Sequence, residues 1–263
     1  DNIAPDYGNV GLAFKTDLDD KVSLALIIDQ PFGANVSYDN AAYLIGGSGA
    51  NVETTSLTAV GRYKFNENVS VFFGPRYLSA SGDYTAAQFG TVLYTSTYAS
   101  GSGTGYVAGA AYERQDIAMR VALTYSSAID LELDGTGAGG LGDLTATMPQ
   151  SVNLEFQSGV AADTLVFGSV RWAEWSQAHI TDAVFGELVS WDDDVLTYTL
   201  GVGRKFSDKF SGAVSVGYEK ELGGAVSNLS AKDGYTSISV GGTYTLDNGI
   251  ELTGGVRYIM VGD

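Results

Sequence analysis

Residues 151–176 read SVNLEFQSGVAADTLVFGSVRWAEWS and contain two alternating segments joined by a short polar turn at residues 162–163. In the first segment, apolar side chains such as Leu154 and Phe156 occupy one parity and polar side chains occupy the other. The second segment repeats the pattern, with Arg171 opposite the apolar row. Period-two alternation predicts strands with one apolar and one wet face, and the tight turn predicts a hairpin.

The same unit recurs along the chain, which predicts twelve strands and no amphipathic helix. The strands are predicted at residues 9–16, 21–30, 54–65, 69–81, 103–114, 117–131, 151–161, 164–176, 195–206, 209–221, 235–246 and 250–260. Short turns rich in Asp, Asn and Ser alternate with long Gly- and Ser-rich loops, which are predicted at residues 34–53, 82–102, 132–150, 177–194 and 222–234. This alternation is typical of outer-membrane β-barrels, which have tight periplasmic turns and longer extracellular loops.

The two faces of the predicted strands support a barrel in a membrane. Val69, Val71, Phe73 and Tyr77 share one parity, so that an apolar row ends in an aromatic residue, as expected where lipid meets the membrane interface. A soluble barrel would turn these rows inward, but its exterior would then be sparse in charge. We therefore predict an all-β, antiparallel transmembrane barrel, formed by residues 1–263 as one domain in a bacterial outer membrane.

The direction of the strands predicts how many the whole barrel contains. If the short turns are periplasmic, the first strand runs inward and the last runs outward. Bacterial single-chain barrels have an even number of strands with both termini in the periplasm. We therefore expect fourteen strands, one more at each end than the twelve visible here, and a longer parent protein.

Composition narrows the function classes. A net charge of −17 argues against nucleic-acid binding, because no clustered basic surface is available to neutralise phosphates. The chain has no cysteine and a single histidine, His179, so it offers neither a disulfide nor a histidine-based metal site or triad. No cofactor is predicted, and an enzyme is the least favoured class. Asp192, Asp193 and Asp194 form either a calcium-binding loop or, by preference, a solvated acidic one.

Charged side chains inside the predicted strands point to the lumen, because an arginine facing lipid costs about 2–4 kcal/mol at the midplane. Two interpretations follow. The arginines pair with carboxylates in a ladder that holds the wall together, or one or two of them, Arg120 and Arg171 first, receive the carboxylate of a substrate. The arginines on the lumen parity are Arg62, Arg76, Arg120, Arg171 and Arg257, and the carboxylates are Asp29, Glu155, Glu219 and Glu251.

Apolar groups share the lumen face with these charges. Phe72 lies on the parity of Arg76, and Phe167 and Trp175 lie on that of Arg171, whereas Trp172 falls on the lipid parity. An apolar and aromatic lining with a few polar groups suits a hydrophobic small molecule. The alternative is that these side chains only fill a narrow barrel.

Three short motifs resemble the FadL-type outer-membrane transporters of long-chain fatty acids and other hydrophobic compounds, including the branch for aromatic hydrocarbons. They are PFGA at residues 31–34, MPQSVNLEF at residues 148–156 and RWAEWSQ at residues 171–177. The resemblance implies passive uptake, in which a hydrophobic ligand enters the barrel and leaves through a side opening into the membrane. It also implies an N-terminal hatch, which we expect to be missing because too few residues precede Asn9.

We therefore expect transport of hydrophobic small molecules, with fatty acids or aromatic hydrocarbons as ligands. A general porin for polar solutes and an adhesin or structural barrel are the alternatives. The expected partners are the ligand, outer-membrane lipid and lipopolysaccharide, and the oligomeric state is left open. The family motifs add Phe32 and support Trp175, so the predicted ligand contacts are Phe32, Phe72, Arg76, Arg120, Phe167, Arg171 and Trp175.

Overall fold

The chain forms one long antiparallel sheet and a smaller four-stranded sheet in the computed structural model, which describes residues 3, 5–137, 143–184, 186–223 and 233–262. In chain order the strands are β1 (Leu12–Asp17), β2 (Val22–Asp29), β3 (Gly33–Ser37), β4 (Gly49–Lys64), β5 (Val69–Gln88), β6 (Thr91–Arg114), β7 (Met119–Ser126), β8 (Ile129–Leu133), β9 (Gly135–Gly137), β10 (Leu144–Met148), β11 (Ser151–Ala161), β12 (Thr164–Ala173), β13 (His179–Asp182), β14 (Gly186–Ser190), β15 (Val195–Lys205), β16 (Phe210–Glu219), β17 (Tyr235–Thr245) and β18 (Glu251–Val261).

The wall of the barrel consists of twelve strands in the order β1-β2-β4-β5-β6-β7-β11-β12-β15-β16-β17-β18, each hydrogen-bonded to the next. The predicted count of twelve visible strands is confirmed, and β11 has the predicted bounds. β3 and β9 extend the same sheet by pairing with β4 and β6. Within the described residues β1 and β18 are not paired with each other, and the total of fourteen stays a prediction.

Burial is inverted relative to a soluble protein. On β2 the apolar side chains of Leu24 and Leu26 are each 44% exposed. Ser23, on the opposite face of the same strand, is only 3% exposed. Thr58 and Ser70 are likewise buried, although apolar residues dominate the interior of soluble proteins. The apolar face therefore points out to lipid and the polar face points into the lumen, as predicted from strand parity.

β5 and β6 form one very long hairpin where a loop was predicted at residues 82–102. That prediction was wrong. The strands pair almost continuously up to a two-residue turn at Phe89 and Gly90, whose φ angles are 46° and 78°. Positive φ at both central positions fits the right-handed twist of a hairpin. The Gly-, Ser- and Thr-rich composition indicated a loop, but backbone pairing does not require large side chains.

The smaller sheet, which we call the cap sheet, has the order β14-β13-β10-β8. β10, β13 and β14 lie in the loops predicted at residues 132–150 and 177–194, and β8 begins inside the strand predicted at residues 117–131. The single strand predicted at residues 117–131 is also wrong, because it divides into β7 and β8 and only β7 belongs to the wall. The strands of the cap sheet are only four or five residues long, so their alternation of apolar and polar residues is too short to predict a strand from the sequence.

The cap sheet packs against the lumen-facing side of the β5–β6 hairpin. A methyl group on Gly101 or Gly103 would lie 2.2 Å from the carbonyl oxygen of Glu132 or Asp130, so the two glycines let the backbone of β8 approach β6 closely. Around this contact an apolar core forms. Its buried members are Leu78, Ala80, Tyr98, Ile129, Leu131, Leu133, Leu144 and Ala146.

Two short 3₁₀ turns interrupt the strands, at Gln115–Ile117 and Trp175–Gln177. The second turn ends β12 at Ala173, so Trp175 does not continue that strand as predicted. No helix in the described part of the chain is long and apolar enough to cross a membrane. Residues 224–232 of the loop predicted at 222–234 lie outside the described residues.

Candidate functional site

A cavity of about 350 Å³, here called the upper cavity, lies at the extracellular ends of the wall strands. Strands β5, β7, β11 and β12 supply its polar side, and the cap sheet and the segment after β2 supply its apolar side. Three predicted contacts, Phe32, Arg76 and Arg171, meet here. The other lining residues are Pro31, Thr124, Ser126, Ser127, Ile129, Met148, Pro149, Ser151, Asn153 and Glu155.

Phe32 lines the apolar side of the upper cavity, and two tryptophan rings pack next to it. The ring of Phe32 meets that of Trp175 edge to face at a centroid distance of 6.3 Å, and Trp175 lies 4.8 Å from Trp191. The backbone N–H of Phe32 donates to Thr54 Oγ1 at 3.2 Å, which fixes the segment after β2 against β4. Phe32 and Met148 also pack against the apolar core under the cap sheet. The predicted pair of Phe32 and Trp175 is therefore in contact.

Asp194 holds the 3₁₀ turn that carries Trp175. Its carboxylate accepts hydrogen bonds from Ser176 Oγ at 2.6 Å, from the Ser176 backbone N–H at 3.3 Å and from Trp172 Nε1 at 3.0 Å. The Ser176 hydroxyl, followed by Trp172, holds the pKa of this carboxyl below its usual value of 3.8. One ionised side chain thus sets the position of both tryptophans at the end of β12.

The polar side of the upper cavity contains two arginines. Arg76 Nε donates to the buried Thr58 hydroxyl at 3.0 Å. Within the described residues, neither Arg76 nor Arg171 forms an ion pair, although Arg171 lies in the field of Glu219. Both guanidinium groups line the cavity with N–H donors, and Glu155 lines it as well without forming an ion pair with either arginine in the described structure.

Among the described residues, the predicted ladder of arginine–carboxylate pairs is found at the opposite end of the barrel. There Arg62 and Arg120 both bind Glu113, the latter at 3.3 Å, so Arg120 does not join Arg171. Arg257 donates to Ser237 and lies over the ring of Tyr235 at 5.0 Å. Of the five arginines predicted to face the lumen, Arg62 and Arg120 thus form the predicted ion pairs in the described structure. Their partner, Glu113, was not among the predicted carboxylates.

The remaining predicted contacts lie apart from the upper cavity. The ring of Phe72 packs over the backbone of Gly109, where an added methyl group would lie 2.3 Å from the ring. Phe167 packs in the same way over Gly201 and lines a separate cavity of about 740 Å³ nearer the periplasmic turns. Both aromatics fill the lumen side of the wall opposite glycines, which fits the alternative that they occupy space.

The sequence profile of the outer membrane protein transport protein family (OMPP1/FadL/TodX) matches residues 8–261. The chain belongs to this family. It is an integral β-barrel protein of the bacterial outer membrane, and its family consists of transport proteins for hydrophobic compounds. No curated protein matches the sequence.

Solved structures of FadL and TodX relatives share the fold. A Pseudomonas aeruginosa FadL homologue has a TM-score of 0.73 at 16% identity, with 95% of this chain and 68% of that chain covered. The CymD monoaromatic hydrocarbon channel has a TM-score of 0.69 at 14% identity, covering 96% and 78%. The Pseudomonas putida toluene transporter TodX has a TM-score of 0.70 at 11% identity, covering 95% and 76%. At these identities the likeness concerns the fold.

Sequence reasoning missed Ile129, Met148 and Trp191 as parts of the site of this FadL/TodX-family chain. All three lie in segments predicted as loops or as an undivided strand, and tertiary packing brings Ile129 and Met148 to the lining of the upper cavity and Trp191 against Trp175. Met148 begins one of the family motifs, which was the available signal. In the described part of the chain, no three metal-ligating side chains cluster, and of the acidic triplet Asp194 is engaged by Ser176 and Trp172.

Proposed function

We propose that this protein passively transports hydrophobic carboxylic acids, fatty acids foremost, through the barrel lumen and a lateral exit into the membrane. One observation carries the proposal. The upper cavity has Phe32, Ile129 and Met148 on one side, and on the other it has Arg76 and Arg171, which form no ion pair among the described residues although Glu155 lines the same cavity. An amphipathic acid matches both sides of such a cavity.

The energetics favour an acid over a hydrocarbon. Burying apolar chain contributes about 0.8 kcal/mol per methylene, whichever ligand is bound. A carboxylate adds charge-assisted hydrogen bonds to a planar guanidinium fork, worth about 1.5–3 kcal/mol each. An aromatic hydrocarbon such as those named for TodX and CymD gains nothing from Arg76 or Arg171. Aromatic hydrocarbons are therefore the second candidate, supported by the Phe32–Trp175–Trp191 cluster.

Transport of this kind needs neither catalysis nor a cofactor. We propose that the chain is not an enzyme and that residues 1–263 act as one barrel domain. Its surroundings are outer-membrane lipid and lipopolysaccharide, which the lipid-facing rows and the acidic loops contact. The lateral exit is the route that the family resemblance implies.

Equilibrium binding of dodecanoate and dodecanol to the purified protein in neutral detergent tests the proposal. We expect dodecanoate to bind more tightly, and R76Q and R171Q each to weaken dodecanoate by about tenfold or more while leaving dodecanol unchanged. R257Q is the matched control, because Arg257 is bonded to Ser237 away from the cavity.

Two outcomes would contradict the proposal. Equal loss of the acid and the alcohol in R76Q and R171Q would make these arginines structural. If dodecanoate does not bind, and the protein conducts ions in a planar bilayer without block by the acid, a general porin becomes the better interpretation.

A further inference from the structure

A second charged cavity, here called the lower cavity, lies at the periplasmic end of the lumen and has a volume of about 550 Å³. Five cationic side chains line it, against the three carboxylates of Asp20, Glu67 and Glu113. The whole chain has the opposite balance, with 14 basic and 31 acidic residues. The cationic residues are Lys21, Arg62, Lys64, Arg114 and Arg120.

One carboxylate serves two of these arginines. Arg62 donates from Nη2 to Glu113 Oε2 and from Nε to Ser70 Oγ at 3.0 Å, and Arg120 Nε lies 3.3 Å from Glu113 Oε1. Ser70 is 1% exposed, so the guanidinium of Arg62 is held from a buried position. A guanidinium has five N–H donors, and these contacts use only a minority of them.

The lysines of the lower cavity differ from those on the other periplasmic turns. Lys205 pairs with Asp208 at 2.8 Å, and Lys209 pairs with Asp247. Within the described residues, Lys21 and Lys64 form no ion pair. Arg114 of this cavity is paired with Asp116 at 2.6 Å, whereas Lys21 and Lys64 make no such contact with the lining carboxylates Asp20 and Glu67 in the described structure.

We propose that the lower cavity binds an oxyanion, a carboxylate or a phosphate group, between Arg120, Lys64 and the free donors of Arg62. The low-dielectric wall around the cavity strengthens the field of these cations, and a guanidinium fork matches both oxyanions. The anion arrives either as the head group of an acid that has descended the lumen or as a small solute from the periplasm. The site is separate from the upper cavity and goes beyond the proposed transport function.

Binding of inorganic phosphate, measured by titration calorimetry on the protein in neutral detergent at low ionic strength, tests the site. We expect the K64Q/R120Q double variant to weaken phosphate at least tenfold, and the K205Q/K209Q double variant to have no effect. We expect E113Q to bind phosphate more tightly than the wild type, because both arginines lose their competing carboxylate. A purely structural Glu113 would give no such gain.

The proposal is overturned if the wild type does not bind phosphate, or if K205Q/K209Q loses as much affinity as K64Q/R120Q. Acetate and octanoate, compared in an R76Q/R171Q variant so that binding in the upper cavity is removed, distinguish the sources of the anion. Equal affinities indicate a small periplasmic solute, and much tighter octanoate indicates an acid from the lumen. We expect R76Q and R171Q to leave phosphate binding unchanged. The dodecanoate measurement therefore tests the upper cavity and the phosphate measurement tests the lower cavity, independently of each other.

Discussion

Tyr98 on β6 donates its hydroxyl to Asp182 Oδ2 on β13 at 2.8 Å, although the two residues are 84 positions apart. Tyr98 is 4% exposed and Asp182 is 1% exposed. The second oxygen of Asp182 accepts the backbone N–H of Val184 at 2.7 Å. This buried pair fastens the cap sheet to the outer half of the β5–β6 hairpin and thereby fixes the roof of the upper cavity. Tyr98 lies 16 residues from the periplasmic end of β6 at Arg114, and since a transmembrane strand needs about 9–11 residues, this part of β6 extends beyond the membrane.

The Tyr98–Asp182 bond predicts an alkaline transition of the cap sheet. Burial, and then the hydrogen bond to Asp182, raise the pKa of Tyr98 above its ordinary value of 10.0. A raised folded-state pKa means that this stabilisation is fully present below the ordinary pKa and is lost as the pH rises towards the folded value. We expect an alkaline-stable protease to cut the cap sheet increasingly as the pH rises above about 10.

Y98F should lack that transition. Its cap sheet should already be weaker at neutral pH by about 1–3 kcal/mol, because the buried carboxylate loses a donor. Y77F is the control, since Tyr77 is on the exposed lipid-facing row. An unchanged alkaline step in Y98F would assign the titration to another group.

Gly103→Ala should detach the cap sheet without unfolding the barrel. The added methyl group would lie 2.2 Å from the Asp130 carbonyl oxygen and 2.6 Å from Ile129 Cγ2, so β8 must move. Overpacking of this kind costs about 1–3 kcal/mol. We expect faster proteolysis of the segment that carries β8 and β10, with the heat-modifiable gel mobility of the barrel retained. Gly254→Ala is the control: its added methyl group would meet no atom within 4 Å, so this variant should behave like the wild type.

Asp194→Ala should loosen the turn that carries Trp175. The loss of its bonds to Ser176 and Trp172 should weaken dodecanoate and dodecanol alike and change tryptophan fluorescence. Because the folded-state pKa of Asp194 is lowered, its stabilisation is present above the usual value of 3.8 and is lost as the pH falls through the folded value. The fluorescence of the wild type should therefore approach that of D194A in acid. Asp193→Ala is the control, and an equal effect there would exclude a specific role for Asp194.

Trp175→Ala should reduce affinity for the acid and the alcohol to the same extent, unlike the arginine variants. The ring contacts Phe32 and Trp191 beside the upper cavity, and one aromatic contact contributes about 0.5–1.5 kcal/mol, so the loss of one such contact with the ligand weakens binding by up to about tenfold for both ligands. Phe206→Leu, in a stacked pair with Phe210 at the far end of the barrel, should leave binding unchanged. A loss confined to dodecanoate would contradict the apolar role of Trp175.

Local alternation determined the wall of the barrel. Strands such as β11 and the outward direction of Leu24 and Leu26 follow from period-two patterning, because parity alone decides which side chains face lipid. The lumen position of Arg76 and Arg171 follows from the same rule, as does the short periplasmic turn at residues 162–163. These features depend only on residues adjacent in sequence and on the solvent that each face meets.

Tertiary structure alone decided the contents of the barrel. Tyr98 meets Asp182 across 84 positions of the sequence, and Arg62 meets Glu113 across 51. The cap sheet forms because Gly101 and Gly103 admit a second backbone layer, and its short strands gain stability only from that packing. Parity places a side chain on a face, but it cannot tell which distant strand or loop will cover that face.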